Sequence, residues 1–74
     1  MEVIAMVNTD KLRGLIAENG LSIVKVAEAL GLSSRTMYTK MRTGAFGLDE
    51  ATALIKLLHI SNPIEIFFRR IVAL

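Results

Sequence analysis

Residues 23–42 read IVKVAEALGLSSRTMYTKMR, and they carry the strongest fold signal in the chain. Apolar residues recur at helical spacing before Gly31, which can end a helix because glycine readily adopts a positive φ. Ser33 then begins a second helical segment as its N-cap. Steeply crossing helices need a small residue at their contact, and Ala27 lies four positions before the glycine. We therefore predict a helix-turn-helix over residues 23–42, with Ala27 and Gly31 serving the packing and the turn.

The remainder of the chain divides into further helical segments. Asn8 and Ser22 are N-cap candidates like Ser33, each flanked by apolar residues at hydrophobic-staple positions. A fourth helix is predicted from about Leu48 to His59, and a fifth opens at Asn62-Pro63 and continues through the apolar residues to Val72. Gly14, inside the first helix, is expected to mark a close approach of another helix. Since no segment is a convincing strand, the prediction is an all-α, compact five-helix domain.

Length and composition restrict the function classes. With 74 residues there is room for one domain, covering residues 1–74, and no cysteine is available for disulfides or zinc. One histidine, His59, lies alone at a helix end, and no general base is recognisable for Ser33 or Ser34. We expect no enzyme activity, no metal, no cofactor and no small-molecule ligand.

The apolar opening of the chain is too short for a secretory signal. Residues 1–7 lack a basic n-region and carry Glu2. No apolar run approaches the roughly 20 residues of a membrane span. These features predict a soluble, cytoplasmic protein without a membrane partner.

Charge is distributed unevenly although the net charge is only +2. No acidic residue occurs between Glu28 and Asp49, whereas Arg35, Lys40 and Arg42 all lie there. A local basic patch of this kind is what phosphate binding requires, because counterion release depends on the contacting face. An equally good interpretation is that these three basic residues are ordinary solvated charges with no binding role.

At this point the chain resembles the Cro/phage-repressor (XRE-type) helix-turn-helix family, especially its short phage-encoded regulators. The resemblance covers about Asp10 to Phe68 and includes the segment 46–51 before the fourth helix. It implies a lambda-repressor-like domain whose helices 2 and 3 bind double-stranded DNA, and a transcriptional regulator. Repression by occlusion of a promoter is the expected output, with activation or a role in recombination as open alternatives. Two positions depart from the family: Ile23 replaces a frequent DNA-contacting glutamine, and Lys40 replaces an apolar residue, so that Met41 could be buried instead.

The resemblance also implies which residues contact DNA, with the third helix in the major groove. Base contacts are predicted for Ser33, Ser34, Arg35, Tyr38 and Thr39, and Arg35 is the best candidate because arginine pairs bidentately with guanine. Phosphate contacts are predicted for Ser22, Lys40, Arg42 and Thr43. Ser34, Tyr38 and Thr39 could contact either a base or a phosphate. Alternatives remain open: Ser22 and Ser33 as caps only, Tyr38 as a cover for the core edge, and Lys40 as a solvated side chain.

Regulators of this type bind inverted repeats as homodimers, and the apolar C-terminal segment offers an interface. The candidate dimer residues are Phe67, Phe68, Ile71 and Val72. The N-terminal apolar residues Val3, Ile4 and Met6 form a second candidate surface. The competing hypothesis is a protein–protein interaction module on the same helical fold that does not bind DNA.

Overall fold

The structure is a computed structural model that describes the backbone of residues 3–66 and 68–73, and side chains over residues 4–64. The helices are α1 (Thr9–Glu18), α2 (Ile23–Leu30), α3 (Ser34–Thr43) and α4 (Leu48–Leu57). The strands are β1 (Val3–Val7), β2 (Ala45–Gly47) and β3 (Phe68–Ala73), and a single helical turn, Pro63–Ile66, precedes β3.

The first three helices begin where the polar caps predict. Asn8 Oδ1 accepts the Lys11 N–H at 3.1 Å and Ser22 Oγ accepts the Lys25 N–H at 3.2 Å. Ser33 Oγ likewise accepts the N–H of Thr36 at 3.1 Å. Each bond satisfies a backbone donor that the first helical turn leaves without an intrahelical partner. The predicted starts of α1, α2 and α3 are confirmed.

A three-stranded antiparallel sheet corrects the all-α prediction. Its strand order is β2-β1-β3, so the N-terminal strand is central. Ala5 lies opposite Phe46 of β2 and opposite Ile71 of β3. The fold is mostly helical, but the prediction that it contains no strand is wrong.

The predicted five-helix count is also wrong. After Asn62 the chain makes one helical turn, and the segment expected to continue helix 5 becomes β3. This segment contains β-branched and aromatic residues such as Ile71, Val72 and Phe68, which favour a pleated strand once a neighbouring strand is present. That neighbour is β1, at the other end of the sequence.

One apolar core joins the sheet and the helices. Its buried residues are Ala5, Val7, Leu12, Ile16, Val26, Ala27, Met37, Met41, Phe46, Ala51, Leu54 and Leu58.

The structure corrects two expectations, one about the N-terminal apolar residues and one about Gly14. The N-terminal segment is an internal strand, with Ile4 and Met6 already half-buried, so it is not a free interaction surface. Gly14 is exposed, and a methyl group there would meet nothing within 4 Å, so it marks no close helix contact.

None of the helices in the part of the chain that the structure describes is long and apolar enough to cross a membrane.

Candidate nucleic-acid interface

The turn between α2 and α3 has the geometry that its sequence predicts. Gly31 adopts φ 72° and ψ 25°, in the left-handed region that favours glycine. The Gly31 N–H donates to Glu28 O at 3.1 Å and the Leu32 N–H donates to Ala27 O at 2.9 Å. These two bonds close the end of α2, and Ala27 is buried beneath them. Three residues, 31–33, therefore connect the two helices.

The inner face of α3 is anchored in the core. Met37 and Met41, four residues apart, are 0% and 1% exposed. The C-terminal end of the helix is attached to β1, because the Val7 N–H donates to the Gly44 carbonyl at 2.8 Å. The orientation of α3 is thus determined both by its own apolar stripe and by a strand from the start of the chain.

The outer face of α3 is a stripe of exposed polar and basic residues. Arg35, Thr39 and Arg42 follow i, i+4, i+7 spacing, which places them on one side of a helix, away from the buried methionines. At about 1.5 Å per residue the stripe is about 10 Å long. We call these three residues the α3 stripe.

The charges on this stripe are not neutralised within the described part of the chain. There, the two ion pairs are Lys25 with Glu28 and Lys40 with Glu50, and neither Arg35 nor Arg42 takes part. Exposed guanidinium groups without a carboxylate partner carry their full charge towards solvent. They can therefore bind an external anion or a base edge without first breaking an internal contact.

Lys40 differs from the other predicted phosphate contacts. Its Nζ lies 2.9 Å from Glu50 Oε1, and both side chains are less than one quarter exposed. The same Glu50 oxygen accepts the Gly47 N–H at 2.9 Å, which stabilises the start of α4. Lys40 thus joins α3 to α4 through an ion pair within the protein, and its phosphate contact stays a prediction.

Three of the hydroxyl groups that are predicted to contact DNA form hydrogen bonds at the ends of helices. Ser22 and Ser33 act as helix caps, and Ser33 Oγ also donates to Thr36 Oγ1 at 2.9 Å. Thr43 Oγ1 donates to Thr39 O at 3.2 Å and accepts the Ala45 N–H at 3.3 Å, so it connects α3 to β2.

Two hydroxyl-bearing positions are better suited to base contacts. Ser34 is exposed in the first turn of α3. Thr39 is also exposed, and its Oγ1 donates to Arg35 O at 3.1 Å, so the lone pairs of the hydroxyl can still accept hydrogen bonds.

Tyr38 lies beside the α3 stripe and borders a cavity of about 390 Å³. Its side chain is 55% exposed, so it does not simply cover the core edge. The other lining residues are Arg13, Ile16, Ala17, Leu21, Ser22, Ile23 and Met41. Ile23 contributes to the apolar part of the cavity wall. No local motif distinguishes Arg13, a lone arginine in α1, so its position beside Tyr38 could not be predicted from the sequence.

The candidate dimer residues lie at the limit of the described chain. Phe67 is outside the described residues, as are the side chains of Phe68, Ile71 and Val72. The backbone of the last three belongs to β3, which is an edge strand of the sheet. The predicted involvement of these side chains in a dimer therefore stays a prediction.

The remaining candidates for chemistry are metal-binding groups and the single histidine. Among the residues that the structure describes, no group of three or more histidine, cysteine, aspartate or glutamate side chains could hold a metal ion. His59 follows the end of α4 with φ 55° and is exposed.

Comparisons with known proteins returned no matching family model, curated protein or solved structure.

Proposed function

We propose that this protein is a sequence-specific double-stranded DNA-binding protein and a transcriptional regulator of the Cro/phage-repressor type, with repression as its output. The observation that carries the proposal is the α3 stripe: an exposed polar and basic surface, without an ion-pair partner among the described residues, on a helix whose other face is buried.

The dimensions of the stripe suit the DNA major groove. The groove is about 12 Å wide and admits one α-helix, and a stripe of about 10 Å can reach a few consecutive base pairs. In this proposal Arg35, in the first turn of α3, pairs bidentately with guanine O6 and N7, with Ser34 and Thr39 as further base contacts. Arg42, in the last turn, contacts a phosphate.

A homodimer is the second part of the proposal. β3 is an edge strand whose outer side has backbone N–H and C=O groups available for pairing. Antiparallel pairing of β3 with β3 of a second copy would extend the sheet across a two-fold axis. Such a dimer would present two α3 helices to the half-sites of an inverted repeat, about one helical turn apart.

The test is selection of bound duplexes from a random pool, followed by affinity measurements on the selected site. Arg35→Ala is expected to lose about 1–3 kcal/mol of discrimination at one base pair, and Arg42→Ala to weaken all duplexes alike. Lys56→Ala, an exposed basic residue on α4, is the matched control and should change neither property. Enrichment of an inverted repeat would support the dimer, which sedimentation of the free protein measures directly.

The competing function is a protein-interaction module that does not bind DNA. The observation in its favour is the exposure of Ile64, which is 65% exposed just before β3. This alternative predicts that an Arg35→Ala, Arg42→Ala double variant retains its function in cells. If the folded double variant loses that function, the interaction module is refuted. If the unmodified protein retains no duplex at low salt, the DNA-binding proposal is refuted.

A further inference from the structure

The cavity beside α3 connects two parts of the chain that no motif relates. Its polar side chains come from three helices: Arg13 from α1, Ser22 from the N-cap of α2 and Tyr38 from α3. The rest of its wall is apolar. The cavity therefore combines one cation and two hydroxyl groups with a nonpolar floor, directly beside the α3 stripe.

Arg13 has no evident role inside the protein. It is exposed, and it takes part in neither of the two ion pairs found among the described residues. Its aliphatic stem can lie against the apolar wall of the cavity while the guanidinium remains in solvent. An arginine held in this way is available for an external anion.

Tyr38 relates this cavity to the proposed DNA contact. On a helix of 3.6 residues per turn, Tyr38 lies about 60° from Arg35 around the axis of α3. It therefore flanks the stripe on the side towards α1. When α3 occupies a major groove, a group on this flank meets the sugar–phosphate backbone at the edge of the groove, because each groove is bounded by a backbone strand on either side.

We propose that Arg13 binds a backbone phosphate of the DNA strand that borders the groove entered by α3. The Tyr38 hydroxyl donates to the same backbone segment, and the apolar floor of the cavity packs against a deoxyribose. Arginine suits this role because its planar guanidinium forms paired hydrogen bonds with phosphate oxygens. The inference rests on the proposed DNA-binding function and adds α1 to a surface that the sequence assigned to α2 and α3. Of the base and phosphate contacts that the sequence leaves open for Tyr38, it selects the backbone contact.

The experiment measures duplex affinity of the full chain at several salt concentrations, on the selected site and on a scrambled duplex. Arg13→Ala is expected to weaken binding to both duplexes by the same factor, about tenfold near 0.1 M salt. It should also reduce the slope of log K against log salt by about 0.9, the value for one lost phosphate contact. Tyr38→Phe should weaken both duplexes to a smaller extent and leave the slope unchanged.

Lys11→Ala is the matched control, because Lys11 is an exposed cation on α1 that does not line the cavity. It should change affinity by less than about twofold and should not reduce the slope by the full contact value. Thermal unfolding followed by circular dichroism verifies that each variant is folded.

The outcomes separate the two proposals. If the unmodified protein binds DNA and Arg13→Ala binds equally well with the same slope, the Arg13 assignment is overturned while the proposed function stands. The assignment is likewise overturned if Arg13→Ala weakens only the selected site, since a phosphate contact carries no sequence preference. If the unmodified protein binds no duplex, both proposals fail together.

Discussion

Gly44 joins the C-terminal end of α3 to β1, and replacing it with alanine should damage the fold more than the same change at Gly31. Both glycines lie in the left-handed region, with φ of 80° and 72°. Their surroundings differ. A Cβ at Gly31 would meet no atom within 4 Å, whereas a Cβ at Gly44 would lie 3.0 Å from the carbonyl oxygen of Val7.

The expected magnitudes follow from these two environments. Alanine in a left-handed conformation costs about 1–2 kcal/mol, partly offset by about 0.4–1 kcal/mol because alanine restricts the unfolded chain. Gly31→Ala should therefore reduce the free energy of unfolding by about 1 kcal/mol. Gly44→Ala adds a steric term of about 1–3 kcal/mol, since the backbone atom of Val7 can move only with β1. We expect a total loss of about 2–4 kcal/mol.

Urea and thermal unfolding of the two variants measure this difference. For a domain of this size, 1 kcal/mol corresponds to about 4–8 °C in Tm. Gly31→Ala should lower Tm by about that amount, and Gly44→Ala by at least twice as much. If the two variants lose equal stability within about 0.5 kcal/mol, β1 does not restrain the end of α3 in the way the geometry implies.

Two further predictions concern stability. Gly14→Ala should raise the free energy of unfolding by up to about 1 kcal/mol, because the site is helical, exposed and open to an added methyl group; a lower Tm would show that the site is more crowded than described. A double-mutant cycle with Lys40→Met and Glu50→Gln should give a coupling free energy of about 1 kcal/mol, between the values for exposed and buried ion pairs. A coupling near zero in urea unfolding would remove Lys40–Glu50 as a connection between α3 and α4.

Much of the helical part of the fold could be predicted because its signals are local. Asn8, Ser22 and Ser33 cap helices through bonds to backbone groups three residues ahead, and Gly31 ends a helix through its own φ. These interactions need nothing from the rest of the chain. The apolar spacing that buries Met37 and Met41 is equally local, so the exposure of Arg35 and Arg42 on α3 could be inferred from the sequence as well.

The strands could not be predicted because a strand is completed by its neighbours. The segments that form β1 and β3 contain β-branched and apolar residues, but they are equally compatible with a short helix or an unpaired terminus. Their pairing joins the two ends of the described chain, and no local periodicity indicates a contact at that sequence separation. Asn62-Pro63 predicts the start of a fifth helix, and a helical turn does form there. After this turn, however, the chain forms β3 and pairs with β1.

Local signals in the sequence are sufficient for α2, the turn and α3: their caps, the glycine between them, the buried face of α3 and the basic residues opposite that face. Which basic side chains are available depends on tertiary contacts. The tertiary structure pairs Lys40 with Glu50, leaves Arg35 and Arg42 outside the ion pairs of the described residues, and brings Arg13 of α1 to the cavity beside Tyr38. The two kinds of interaction differ in the sequence separation that they connect. Caps and helical stripes act over three or four residues, whereas an ion pair, a sheet register or a cavity depends on the final positions of separate elements.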